Sequence, residues 1–481
     1  MAILLLLVPI AGGLLIRASR ACPANSRMPL VVALGSYLVT TFLGALLTGL
    51  FGVDFLDIEG YGLDLSVALD VGTAKYWLLL FAPWIGIAGV IAATSPSGLG
   101  DAARRPGVPP GHVRGPVSMA HTLLVFGLLA AYCVMRLRAS GNLDVASTWR
   151  SNRGDFESLM FVRDSVTRAM GTLGCGLIYT ALPCLSFVAL FEASRLRSRA
   201  WAAAFLGCAG TCVFLSLASA QKSLVMLYVG ILGVGVAELG WIRVRTLFAV
   251  LGGMVVLLTL LQSYFIEDWD YRQSVLLMLL RVSTSFPYYA SLYPRTIPYQ
   301  GIDIGLHILG MAPSPRDNLD VFNSMYPGVR WLQGSVAAPA HMRAYSQGGV
   351  AYAMLVSVGI GFAVAMVMRL RARARSAIGF AFYLQSLVTL YYLSQIAPLD
   401  TLLTSYGMLY ALFGLGPLWL LESTRAPATR LAIDPRNPNS ARRASAWTTE
   451  SEPQTRRIAR RAIEPARTRS NTNRPRVRTA S

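Results

Sequence analysis

Apolar residues in this chain gather into long unbroken runs, separated by short stretches rich in arginine, glycine and proline. Runs of about 20 apolar residues match the thickness of a bilayer's hydrocarbon core and predict helices that cross it. The pattern places such helices at Ala2 to Ile16, Pro29 to Val53, Ala74 to Ala93, Val117 to Met135, Met170 to Phe191 and Ala200 to Ala218. Five more follow at Ser223 to Ala237, Thr246 to Phe265, Ser346 to Met368, Ser376 to Ile396 and Leu402 to Leu421. The expected fold is all-α, a polytopic integral membrane protein with about eleven transmembrane helices and one long structured external loop.

Four regions follow from the same pattern. Residues 1–265 hold eight helices, 266–345 the long loop, 346–421 three further helices, and 422–481 a basic tail. A loop as long as Ile266 to Tyr345 inside a hydrophobic chain is either functional or disordered. This one has aromatic runs such as Phe286, Pro287, Tyr288 and Tyr289, and apolar patches at Val275 to Leu280 and Ile302 to Leu309. Such surface can be buried against the helices, so an ordered loop is expected. The tail carries fourteen arginines and almost no large apolar residue, a composition that cannot form a core.

Composition excludes a soluble enzyme: 54% of residues are apolar and only 14% charged. The net charge of +19 would point to nucleic acid in a soluble protein, but its distribution points to the membrane instead. With the N-terminus outside, the segments on the inside hold 29 basic and 8 acidic residues, and those on the outside 14 basic and 16 acidic. That asymmetry is the positive-inside rule. It predicts an external N-terminus, a first helix that is not a cleaved signal, an external loop at 266–345 and a cytoplasmic tail. The tail meets anionic lipid headgroups, or a specific cytoplasmic partner. Nucleic acid is not an expected partner, since Trp447 is the tail's one stacking aromatic.

Motifs of soluble catalysis are missing: the chain has no phosphate-binding glycine loop, no Gly-x-Ser-x-Gly and no His-Glu-x-x-His. Six cysteines and four histidines make no pattern of metal ligands, and no metal site is expected. Chemistry is therefore sought in the long loop, which holds Arg272, Arg281, Arg295, Arg316, Arg330 and Arg343 with His307 and His341. Arginine offers a planar fork of donors suited to phosphate oxygens. His341 and Arg343, just before a span, are either an anchor at the membrane edge or an anion site with a proton acceptor beside it. Lys222 sits at the hairpin between the sixth and seventh spans. It either snorkels to the interface or marks a pocket.

Three stretches carry a family resemblance: Ser216 to Ser223 around Lys222; Arg281 to Tyr289 with Tyr293-Pro294-Arg295 and Tyr299-Gln300-Gly301; and Ala337 to Arg343 running into Gly348-Gly349. In this order they resemble the Wzy-type oligosaccharide repeat-unit polymerases and the related O-antigen ligases, over about Met170 to Leu421. Arg163, eleven positions before Gly174, fits a further pattern of that family. The resemblance implies a glycosyltransferase of the bacterial cell membrane, without cofactor, whose substrate is a polyprenyl-pyrophosphate-linked oligosaccharide. Its partners would be a flippase and a chain-length regulator. Residue by residue it implies Arg281 and Arg343 on the pyrophosphate, Lys222, Arg163 and Arg295 around the substrate, His341 as the base, and Asp400 as the alternative base. Polymerase and ligase remain open, and a lipid-linked sugar flippase or secondary transporter is the alternative from another class.

Overall fold

The structure is a computed structural model. It describes residues 2–22, 27–56, 63–94, 116–139, 141, 156–219, 222–243, a few positions between 245 and 256, 283–302, 315–327, 336–374, 376–393 and 407–423. Side chains of 2, 156–164, 222, 223, 372 and 373 lie outside that description. The chain divides into two compact units, Met1–Glu422 and Ser423–Ser481.

Every regular element among the described residues is helical. Helix α1 is Ala2–Ala21, α2 is Met28–Phe51 and α3 is Ala74–Ala93. Next come α4 (Met119–Ala139) and α5, which is built from Phe156–Gly176, a π-helical turn at Leu177–Ala181 and Leu182–Leu196. Then follow α6 (Arg199–Ala218), α7 (Lys222–Glu238), α8 (Ser285–Leu292), α9 (Asp317–Met325), α10 (Ala340–Arg373), α11 (Ala377–Tyr392) and α12 (Met408–Ser423).

Seven of these helices are long and apolar enough to cross a membrane: α1 to α6 and α10. The chain is thus an all-helical polytopic membrane protein. The described parts of α11 and α12, 16 residues each, rise about 24 Å, and residues 394–406 between them lie outside the description. The eighth expected span, Thr246 to Phe265, lies almost wholly outside the described residues. Helix α3 has the bounds its apolar run predicts, whereas α1 runs past Ile16 to Ala21, because nothing before Pro23 stops it.

Helix α3 is the axis on which the other elements are hung. Thr73 opens it, extended and with its hydroxyl accepting the Tyr76 amide at 3.3 Å. Pro83 lies inside it and has no N–H to give the carbonyl four residues earlier, that of Leu79. Helix α10 packs along α3 so closely that a Cβ on Gly86 would fall 2.7 Å from the Ser357 carbonyl carbon.

Helix α10 is broken, contrary to a span that simply starts at Ser346. Gly348 (φ −141°, ψ 17°) and Gly349 (φ 73°, ψ −167°) leave helical geometry, and the second conformation is open only to glycine. Its neighbours on α3 trace the path. His341 is bonded to the Leu79 backbone, and the Tyr345 ring lies 6.0 Å from the Lys75 ammonium. Beyond the break, Ser357 meets Gly86 and Gly361 meets Val90. The chain therefore climbs toward the Ala74 end of α3 over Ala340 to Gln347, reverses at the two glycines, and descends along α3. A short re-entrant helix precedes the long one.

Candidate functional site

At the Ala74 end of α3, helices α8 and α9 and residues 63–73 form a layer over the re-entrant segment. Backbone groups outside regular structure must find partners, and here each tie joins two segments distant in sequence. Tyr288 donates its hydroxyl to the Asp64 carbonyl at 2.7 Å, and the Asp64 amide donates to the Met325 carbonyl at 2.8 Å. The Asp70 amide donates to Ser291 Oγ at 2.7 Å, Ser285 Oγ to the Ala337 carbonyl at 2.8 Å, and the Tyr345 hydroxyl to the Tyr293 carbonyl at 2.7 Å. All eight residues of α8 are buried. This part of the long loop is ordered because its aromatic residues fill a core with Tyr76, Trp77 and Met342.

Within this layer Arg343 is joined to Asp317. Arg343 donates from Nε to Oδ2 at 3.1 Å and from Nη2 to Oδ1 at 3.3 Å. The Asp317 side chain is fully buried and that of Arg343 is 9% exposed. Tyr289 brings its hydroxyl to 3.0 Å from Asp317 Oδ2 and 2.9 Å from Asn318 Oδ1. Burial, and then the Asp317 charge, push that phenol well above its ordinary range, so it is a hydrogen-bond donor at any physiological pH. Removing one partner of such a pair leaves a buried charge uncompensated, at a cost of about 3–5 kcal/mol.

Gln300 sets the position of Asp317. Helix α9 begins without a side-chain cap of its own. Instead Gln300 Oε1, from 16 and 17 residues away, accepts the amides of Arg316 at 3.0 Å and Asp317 at 3.2 Å. Its Nε2 donates to Asp320 Oδ2 at 2.9 Å and to the Tyr293 hydroxyl at 3.2 Å. Its backbone amide donates to the Ser346 carbonyl at 3.1 Å. One residue thus ties the helix that carries Asp317 to the helix that carries Arg343.

His341 faces elsewhere. Two residues along a helix are separated by about 200°, so His341 and Arg343 leave the re-entrant helix on opposite sides. The imidazole is 1% exposed, lies edge-on to Tyr37 with ring centroids 5.5 Å apart, and has Phe286 at 6.3 Å. It is hydrogen-bonded to the Leu79 backbone, whose carbonyl Pro83 leaves without a helical partner. Its Nε2 is buried and has no hydrogen-bond partner among the described residues. The pairing of His341 with Arg343 in one anion site is therefore corrected: the two are neighbours in sequence and face different surroundings. Arg343 is likewise engaged by Asp317, where sequence alone left its fork open to a ligand.

Arg295 is 61% exposed and reaches Asp70 at 3.5 Å. Lys222 is the first residue of α7, and Arg163 lies in α5 before the break at Gly171, with both side chains outside the description. Arg281 and Asp400 lie outside the described residues. No group of His, Cys, Asp and Glu that could hold a metal ion occurs among the described residues. The residues that sequence reasoning missed are Asp317, Tyr289 and Gln300. Only Pro83 left a readable signal, an orphan carbonyl at Leu79 that some donor must meet.

No protein family, curated protein or solved structure matches the chain.

Proposed function

We propose that the chain is a membrane glycosyltransferase that joins polyprenyl-pyrophosphate-linked oligosaccharide repeat units into a cell-surface polysaccharide. In this reading it has about eleven spans and lies in a bacterial cell membrane. The α8–α9 layer is outside with the N-terminus, and the tail is in the cytoplasm, a placement that the distribution of basic residues supports. The observation that carries the reading is the guanidinium of Arg343. It is held by Asp317, which Tyr289 and Gln300 hold in turn, on the short helix before the glycine break, where in this reading a lipid-linked anion meets the protein.

The chemistry asks little of the protein beyond such a group. The acceptor hydroxyl oxygen bonds to the anomeric carbon of the donor sugar, and the bond from that carbon to the pyrophosphate oxygen breaks. The electron pair leaves on the pyrophosphate, and the hydroxyl proton passes to a base. Charge grows on the leaving group, and a prepositioned arginine stabilises it without reorganising. The pyrophosphate competes with Asp317 for the Arg343 fork, and Asp317 keeps the fork in place between turnovers. Arg281, Arg295, Arg163 and Lys222 supply further cationic contacts to the substrate. His341, enclosed by Tyr37, Phe286 and Leu79, anchors the re-entrant helix in this reading, and Asp400 takes the proton.

The test is purified protein in nanodiscs supplied with a polyprenyl-pyrophosphate-linked repeat unit. A ladder of longer chains is expected. Arg343→Lys keeps the charge but loses the fork, and should slow the ladder on the order of a hundredfold or more. Transfer of a single chain to a lipid acceptor would make the protein a ligase. A second reading, a flippase for the same substrate, is favoured by the helix breaks at Gly171 and Gly348–Gly349, since transporters use discontinuous helices. Donor crossing the bilayer without any transfer would establish it.

A further inference from the structure

The chain uses arginine for all but two of its 43 basic residues, the exceptions being Lys75 and Lys222. Lys75 stands in the first turn of α3, where the helix dipole disfavours a cation. Its Nζ lies 3.8 Å from Asp70 Oδ2, and Arg295 Nη1 lies 3.5 Å from Asp70 Oδ1. Both distances exceed the roughly 2.7–2.9 Å of a tight charge-assisted hydrogen bond, and exposed pairs of this kind contribute little stability. Among the described residues these two cations share one carboxylate, which leaves an excess positive charge at a half-exposed position. Holding residues 63–73 in place does not require it, because Ser291 and Tyr288 already do so.

Beside these charges stands an open aromatic face. Tyr299 is 40% exposed, and its ring meets that of Tyr345 edge-on, with centroids 5.9 Å apart. Tyr345 is the ring from which Lys75 lies 6.0 Å away. The Tyr299 hydroxyl is turned inward: it is hydrogen-bonded to Tyr345 and sits 3.1 Å from where a Cβ on Gly349 would be. A tyrosine that anchors a membrane edge offers its hydroxyl to the headgroups. Here the hydroxyl is engaged while the residue stays 40% exposed, which leaves ring surface on which the C–H face of a sugar can stack.

We propose that Lys75, Arg295 and Tyr299 form a subsite for a negatively charged sugar, one bearing a carboxylate or phosphate substituent. The ring stacks on Tyr299, and the anionic group displaces Asp70 from Arg295 and Lys75. Tyr299 adjoins Gln300, whose side chain caps the helix that carries Asp317, the partner of Arg343, so the cluster and Arg343 belong to one layer at the Ala74 end of α3. The inference rests on the glycosyl-transfer reading, and it names the substrate class as acidic repeat units.

Direct binding tests it without turnover. Wild-type protein in phosphatidylcholine nanodiscs is titrated with a trisaccharide of glucuronic acid and, separately, with a neutral glucose trisaccharide. The acidic glycan should bind at least tenfold more tightly, and the difference should shrink as salt is raised. Arg295→Gln and Tyr299→Ala should each weaken it severalfold while melting temperatures stay at the wild-type value, and Lys75→Gln should act in the same direction. Equal affinity for the two glycans, or an undiminished affinity in Arg295→Gln, would overturn the proposal. So would Arg295→Gln losing retained phosphatidylglycerol while glycan binding stays unchanged, which would make the cluster a lipid headgroup site. Failure of the glycosyl-transfer reading appears separately, as absence of product from a lipid-linked donor whichever way the binding assay turns out.

Discussion

At the scale of single residues, Gln300 is the sharpest test of how Arg343 is held. Replacing it by glutamate preserves the acceptor for the Arg316 and Asp317 amides, but puts a carboxylate where Nε2 now donates to Asp320 at 2.9 Å. Asp320 is already held above the ordinary carboxylate range, by burial first and by Asp317 second, against the pull of Arg316 and Gln300. A folded-state pKa above the unfolded value of about 3.9 favours the protonated form. Its stabilisation is present below that unfolded value and is lost as pH rises through the folded one. At neutral pH, Asp320→Asn should thus leave the melting temperature unchanged or slightly raised. Gln300→Glu should lower stability by about 1–3 kcal/mol, and Gln300→Glu with Asp320→Asn, which restores a donor and an acceptor in exchanged places, should recover most of that loss in thermal melts. His341 allows a second comparison. His341→Asn keeps a donor for the Leu79 carbonyl and removes the titrating ring, so turnover and its pH profile should stay close to wild type, whereas Asp400→Asn should abolish turnover. The reverse pattern would return the role of base to His341.

At the scale of elements, the re-entrant helix depends on its two glycines. Gly349 has φ 73°, and a side chain there would also meet the Tyr299 hydroxyl at 3.1 Å. Gly349→Ala should cost about 1–3 kcal/mol of stability and displace the segment that carries Arg343. Gly359, in the continuous part of the same helix, has open space around it, and Gly359→Ala should be tolerated. A thermal-shift comparison of the two variants separates strain at the reversal from a general intolerance of the helix. Proline acts in the opposite way, by leaving acceptors unmet. Pro83 frees the Leu79 carbonyl for His341, and the π-helical turn at Leu177–Ala181 precedes Pro183 in α5.

At the scale of the whole molecule, the proposed orientation puts the α8–α9 layer outside. Ile302 is 59% exposed and belongs to that layer, whereas all six native cysteines are free and buried. In a cysteine-free background, Ile302→Cys should react with a membrane-impermeant maleimide in intact cells. Reaction only after permeabilisation would invert the topology, and with it the assignment of an extracellular substrate.

Legibility in the sequence followed the range of the forces involved. Crossing helices are dictated by local apolarity, because a bilayer rewards each run on its own. For that reason α3 has the bounds its residues predict, and α2, α4, α6 and α10 are each recognisable as long apolar runs. The break in α10 was not legible, because the glycine pair at 348–349 stands at the start of a run that reads as one continuous span. The pairing of Arg343 with Asp317, the cap that Gln300 lends to α9 and the enclosure of His341 were not, because each joins segments that only folding brings together. Charge and hydropathy along the chain determined a basic-loop, many-helix membrane protein. The tertiary structure alone decided which arginine is held, by what, and which way each side chain of the re-entrant helix faces, because a hydrogen bond between residues tens of positions apart leaves no mark on the composition of either segment.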